Sequence, residues 1–218
     1  MIRYSRSARG LATCLSALAG FVDAVGFLLS GGVFVSFMSG NSTRLAVGLV
    51  AAAPIAGLAA MLIASFVAGV VLGSLVGSRW SMARKPLVLV VSTLLLATSS
   101  LLVSLGIDRE ALVPLALAMG CSNNVFQRDG DVTIGVTYMT GALVRLGQRI
   151  ADTLRGGPRW DWLPFLQLWS GLLAGAIVGA WCFARLGPQC LWIASGIAAL
   201  LSLWGWRIQL RARVDDRA

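Results

Sequence analysis

The sequence predicts an all-α integral membrane protein with about six transmembrane helices and two broken or re-entrant segments, arranged as two inverted-topology repeats of about 101 residues. Three observations carry that expectation. The 218-residue chain is 57% hydrophobic and only 12% charged, roughly half the charge of a soluble domain. Apolar runs long enough to cross a bilayer recur along its whole length, and mean hydropathy is +0.82. The two halves of the chain also repeat one another in register.

Eight apolar segments are predicted, four in each half. In the first half they run 11–29, 33–51, 55–78 and 86–105; in the second, 111–127, 135–154, 162–184 and 189–207. Their length and lack of strand alternation make all of them helical. The first begins like a signal peptide, with Arg3, Arg6 and Arg9 before an apolar run and Ala17-Leu18-Ala19, and LATC resembles a lipoprotein box. Its apolar run continues past Ala19 to Leu29, so it is expected to be a retained first membrane helix.

The repeat is clearest where SFMSGNSTRLAVGL (36–49) meets TYMTGALVRLGQRI (137–150). At an offset of 101, Met38, Gly40, Arg44 and Leu45 fall on Met139, Gly141, Arg145 and Leu146, and Asp23 falls on Asn124. With one inserted residue, Gly69, Gly73 and Gly77 then fall on Gly171, Gly175 and Gly179. The expected units are 1–107 and 108–218 within a single membrane domain. Both glycine runs have the spacing that lets membrane helices approach closely.

Charge selects the number of crossings. If all eight segments cross, 10 basic residues lie inside and 5 outside. If the second segment of each unit dips in and returns, Arg3, Arg6, Arg9, Arg79, Arg84, Lys85, Arg128, Arg155, Arg159, Arg207, Arg211, Arg213 and Arg217 are inside. Only Arg109 and Arg185 are then outside, a 13 to 2 bias that satisfies the positive-inside rule. Tryptophans 80, 160, 162, 204 and 206 fall at inner ends and 181 and 192 near an outer loop, as interfacial belts require. Three crossings per unit is an odd number, so the units are inverted. The protein is expected in a bacterial inner membrane with both termini cytoplasmic.

Several functions are disfavoured. The net charge of +9 sits in short loops and tails, which topology explains better than nucleic-acid binding. The chain has no histidine, and Cys14, Cys121, Cys182 and Cys190 form no CxxC pair, so neither a metal site nor a cofactor is expected. No HExxH motif or usable carboxylate pair suggests an enzyme.

So apolar a chain nonetheless places Gly40-Asn41-Ser42-Thr43-Arg44 together. In the dipping arrangement this is the turning point of a broken segment, where Gly40 and Gly141 permit the break and nearby hydroxyls satisfy freed backbone groups. Asp23 lies about 18 Å along the first helix, near the midplane. A charge there needs a partner or a task. The expected solute or ion pathway therefore comprises Asp23, Gly40, Asn41, Arg44, Asn123, Asn124, Thr140, Gly141 and Arg145, with Asp23, Asn41, Arg44, Asn124 and Arg145 facing one another between the two units. Two other readings stand beside it: the arginines snorkel to an interface, or Asp23 and Arg44 form a structural lock.

FVDAVGFL (21–28), FMSGN (37–41), MGCSNNVF (119–126) and TYMTGAL (137–143) resemble the YoaK-like family of bacterial membrane proteins. Its hallmark is G-x-x-D-A, then T-G-N, then G-x-Q-N and T-Y-x-T-G; this chain departs from it at Ser39, in place of threonine, and Ser122, in place of glutamine. The resemblance implies an inner-membrane protein and no substrate, since the family is a domain of unknown function.

The residues point to a small secondary transporter or channel for a small anion or carboxylate-bearing metabolite, with Asp23 a candidate proton carrier. The alternative is a non-transporting scaffold or assembly protein in which the Asp/Arg cluster is a lock. The expected partners are the lipid bilayer and a small solute, with a homodimer compatible with the glycine faces.

Overall fold

The computed structural model describes residues 6–80, 83–128, 131–132 and 135–215. Eight α-helices account for nearly all of them: α1 (Arg6–Leu29), α2 (Met38–Val50), α3 (Ile55–Arg79), α4 (Arg84–Ser104), α5 (Asp108–Ser122), α6 (Met139–Leu154), α7 (Leu163–Leu186) and α8 (Leu191–Asp215). Arg3 and Arg217, two of the arginines assigned to the inner side, lie outside the described residues.

Among the described residues, four stretches are long and apolar enough to cross a membrane: Arg6–Leu29, Ile55–Arg79, Arg84–Ser104 and Leu163–Leu210. The last is 48 residues long and contains two helices, because Gly187 adopts a φ of 61° between α7 and α8. α5 has only 15 residues of α-helix, but a 3-10 turn, Asn123–Phe126, extends it. A two-residue antiparallel pair, β1 (Gln127–Arg128) with β2 (Asp131–Val132), follows; it was not expected, since no strand alternation marks it.

The segment expected at 33–51 is irregular before Met38 and helical after it, and the segment at 135–154 behaves likewise before and after Met139. The two helices thus begin at residues that the repeat aligns. The breaks are not made at Gly40 and Gly141, which lie within the first turns of α2 and α6. The first is made at Gly31 and Gly32, whose φ values of 72° and 119° are ones that only glycine adopts readily. Gly40 and Gly141 have another task. A Cβ on Gly40 would come within 2.5 Å of the Phe37 ring, and one on Gly141 would strike the Tyr138 ring. Each glycine lets the aromatic residue before its helix fold over the first turn.

Membrane helices have little hydrophobic drive toward one another, so close packing depends on small residues. α1 packs along α7, where Gly20 meets the Leu172 carbonyl, Gly175 the Ala17 carbonyl and Gly179 the backbone of Phe21; Gly171 lies against Thr13. α3 packs along α5 in the same manner, Gly120 against the Phe66 carbonyl, Gly69 against that of Leu117, and Gly73 against Cys121 and Asn124. Gly77 differs, since its neighbour is the Arg84 side chain. The expected glycine faces are therefore spent inside the chain rather than left for a second copy. α4 packs along α8, joined by a Ser100–Ser195 hydrogen bond of 3.0 Å. α2 rests on α3 and α6 on α7.

Candidate solute site between two helix starts

The first wall of the site is built by Asp23. Its Oδ1 accepts hydrogen bonds from the backbone N–H groups of Val35 (2.9 Å) and Ser36 (2.8 Å). Buried backbone outside a helix or sheet must be satisfied by other groups of the protein, and here a carboxyl oxygen does it. Asn41, fully buried on α2, completes the turn by accepting from the Phe34 N–H (2.9 Å) and donating to the Phe34 carbonyl (2.6 Å). The remaining polar residues of the stretch are satisfied close by. Ser42 donates to the Met38 carbonyl and Thr43 to that of Ser39. The Arg44 guanidinium lies over the rings of Phe27 and Phe34, 5.6 and 5.4 Å from their centres.

The second wall is held by Asn123. Its Oδ1 accepts from the Thr137 N–H (3.4 Å) and its Nδ2 donates to the Thr137 hydroxyl (2.9 Å) and the Met119 carbonyl (2.9 Å). Asn124, which the 101-residue offset aligns with Asp23, instead donates to the Val70 carbonyl on α3 (3.1 Å). By role, the partner of Asp23 is Asn123. The change to a 3-10 turn at Asn123 alters which side chain reaches the returning loop.

Between these walls lies a cavity of about 400 Å³, whose lining includes Ser36, Met38, Ser39, Asn123, Thr137, Met139 and Thr140. α2 and α6 both begin on it, and neither start carries a side-chain cap. The first N–H groups of a helix have no intrahelical acceptor, and the macrodipole places partial positive charge there. Two such starts on one cavity, with the hydroxyl-bearing residues Ser36, Ser39, Thr137, Tyr138 and Thr140 in its wall, form a site suited to a small anion or a carboxylate.

Of the residues expected in the pathway, Asn123 and Thr140 line this cavity. Asp23 and Asn41 hold the turn that shapes it, Asn124 anchors α5 to α3, and Gly40 and Gly141 seat aromatic rings. The expected meeting of Asp23, Asn41, Arg44, Asn124 and Arg145 across one interface is not observed. Arg44 stacks on phenylalanines, and Arg145 is exposed on α6. Among the described residues the one ion pair is Arg149–Asp152 (3.5 Å), so Asp23 and Arg44 form no charge lock. Sequence reasoning missed Ser36, Ser39 and Thr137; the signal available was that the repeat pairs Ser36 with Thr137 and Ser39 with Thr140. No group of three or more His, Cys, Asp or Glu side chains that could hold a metal occurs among the described residues.

Residues 11–204 match a family described as "Protein of unknown function (DUF1275)". The chain belongs to that family. It is also 36% identical over 214 residues to the "UPF0700 transmembrane protein RA0705" of Rhizobium meliloti (strain 1021), a match covering 97% of this chain and 92% of that relative. No solved structure matches. This DUF1275 chain is thus a membrane protein of an uncharacterised family, and its several long apolar helices make it multi-pass.

Proposed function

We propose that this protein is a small secondary transporter or channel, and not an enzyme, for a small anion or carboxylate-bearing metabolite in a bacterial inner membrane. The observation that carries the reading is the single cavity on which α2 and α6 both begin. In this reading α1, α3, α4, α7, α8 and the α5–3-10 unit cross the bilayer, while α2 and α6 are half-helices, and both termini are cytoplasmic. Shared ends support it: Gly10 near the start of α1 lies under Trp204 near the end of α8, and Gly205 lies against Leu89 near the start of α4. At the other end, Trp192 at the start of α8 donates to Ser104 at the end of α4 (3.1 Å).

The correspondence of α1–α7 with α5–α3 packing supports two repeat units related by inverted topology, the arrangement in which broken helices present their starts to a solute at the midplane. Recognition in this reading rests on helix starts and hydroxyls rather than on Arg44 and Arg145. Asp23 acts as the clasp of the first turn rather than as a proton carrier, because its Oδ1 is already held by two amides.

A second reading, a scaffold without transport, is favoured by one observation: Asn41, Ser42, Thr43 and Arg44 each find a partner within their own segment or its turn. A thermal-shift screen of the purified protein against formate, acetate, chloride, nitrate and sulfate separates the two. The transport reading expects at least one anion to stabilise wild type and to lose its effect in Thr140→Phe, whose ring fills the cavity. No stabilisation by any anion, with wild type and variant melting alike, favours the scaffold.

A further inference from the structure

A second cavity, of about 540 Å³, lies away from the two half-helix starts, in a notch between the beginning of α1 and the beginning of α7. Arg6, Arg9 and Thr13 line it from α1, Gln167 from α7, and Trp160 closes one side. Its character is unlike the first. Two arginines, Arg6 and Arg9, line it, and neither forms an ion pair with a carboxylate among the described residues. Arg9 Nε is buried and has no hydrogen-bond partner. A guanidinium cannot shed its proton, and a buried N–H without an acceptor is costly. Among the described residues, the protein supplies no acceptor for this N–H.

The position of the notch indicates what supplies it. Cys14 and Gln167, both in its wall, are exposed on their helices, so the notch opens on the perimeter of the bundle. Trp160 is 69% exposed and its ring lies 6.0 Å from that of Trp162, an aromatic pair of the kind that sits at the headgroup level. Basic notches between membrane helices at the cytoplasmic face are where acidic headgroups bind.

We propose that this notch is a binding site for the phosphodiester headgroup of an acidic phospholipid. Arg9 and Arg6 donate to the phosphate oxygens, and Gln167 and Thr13 offer polar contacts to the glycerol. Trp160 marks the depth at which the acyl chains leave the notch. The charge selects an anionic headgroup over a zwitterionic one, because no carboxylate lines the notch to receive an ammonium group.

The test uses the full-length protein in neutral detergent, titrated with phosphatidylglycerol, phosphatidylcholine or inorganic phosphate while melting is followed. Phosphatidylglycerol is expected to raise the melting temperature saturably, with phosphatidylcholine and inorganic phosphate inactive at the same concentration. Arg9→Gln is expected to weaken the phosphatidylglycerol effect roughly tenfold, the scale of one charge-assisted hydrogen bond. Arg6→Gln, at an exposed position that leaves folding intact, is expected to weaken it in the same direction. An equal response to phosphatidylcholine overturns the proposal, as does an undiminished response in Arg6→Gln. A matching response to inorganic phosphate overturns it too, by making the notch a site for a soluble anion.

Discussion

The carboxylate of Asp23 and the backbone amide of Ser36 are joined at 2.8 Å, and on the other side of the same cavity Asn123 and the amide of Thr137 are joined at 3.4 Å. One side chain, on α1 in the first case and in the 3-10 turn after α5 in the second, thus holds each returning loop at the place where the next helix starts. The clasp made by Asp23 is the shorter of the two.

Asp23→Ala leaves the buried Val35 and Ser36 N–H groups without their acceptor. It is expected to destabilise the protein by about 2–4 kcal/mol, the cost of orphaning two buried donors. Asp23→Asn keeps an acceptor oxygen and is expected to cost less than half as much. Unfolding in detergent, followed by tryptophan fluorescence, ranks the two variants.

Gly40→Ala places a Cβ within 2.5 Å of the Phe37 ring. The ring must swing away from the start of α2, at an expected cost of about 1–3 kcal/mol for overpacking. Phe37→Ala in the same chain is expected to remove most of that cost. The double-mutant cycle is the check: additive losses would mean that ring and glycine are not coupled.

Gly175→Ala and Gly69→Ala set a methyl group against the backbone carbonyls of Ala17 and Leu117. Backbone cannot yield as a side chain can, so both are expected to lower the melting temperature markedly. Gly147 and Gly196 have nothing within 4 Å of an added Cβ, and alanine there is expected to be neutral or to stabilise by up to about 1 kcal/mol through helix propensity. A thermal melt of the four variants compares them directly.

Arg44→Gln removes a cation from the faces of Phe27 and Phe34. A loss of about 0.5–2 kcal/mol of stability is expected. Anion affinity is expected to stay unchanged, because Arg44 does not line the cavity between the helix starts. Measuring melting temperature and anion-induced shift on the same sample separates the two effects.

Much of the fold was legible because membrane helices are read from length and apolarity alone. The repeat aligned Met38 with Met139, the residues at which α2 and α6 begin, although the breaks themselves were expected at Gly40 and Gly141. The glycine spacing marked faces that meet other helices within the chain, except at Gly77. The site was less legible. Opposite charge suggested that Asp23 would seek Arg44, but the loop turned by Gly31 and Gly32 brings two amides to Asp23 first. Backbone donors have no letter in the sequence. Likewise the 101-residue offset points to Asn124, whereas the 3-10 turn that delivers Asn123 to Thr137 depends on local geometry that no motif announced. Arg44 was expected to face Asp23, and the rings of Phe27 and Phe34 lie beneath it instead.

The central claim is that the cavity between the starts of α2 and α6 passes a small anion. The most direct test is flux of small anions and carboxylates across proteoliposomes holding wild type or Thr140→Phe at equal density. The account predicts anion-selective flux in wild type that falls to the level of empty vesicles when the cavity is filled. Flux that persists unchanged in the filled variant, or its absence from wild type with every anion tried, would contradict it.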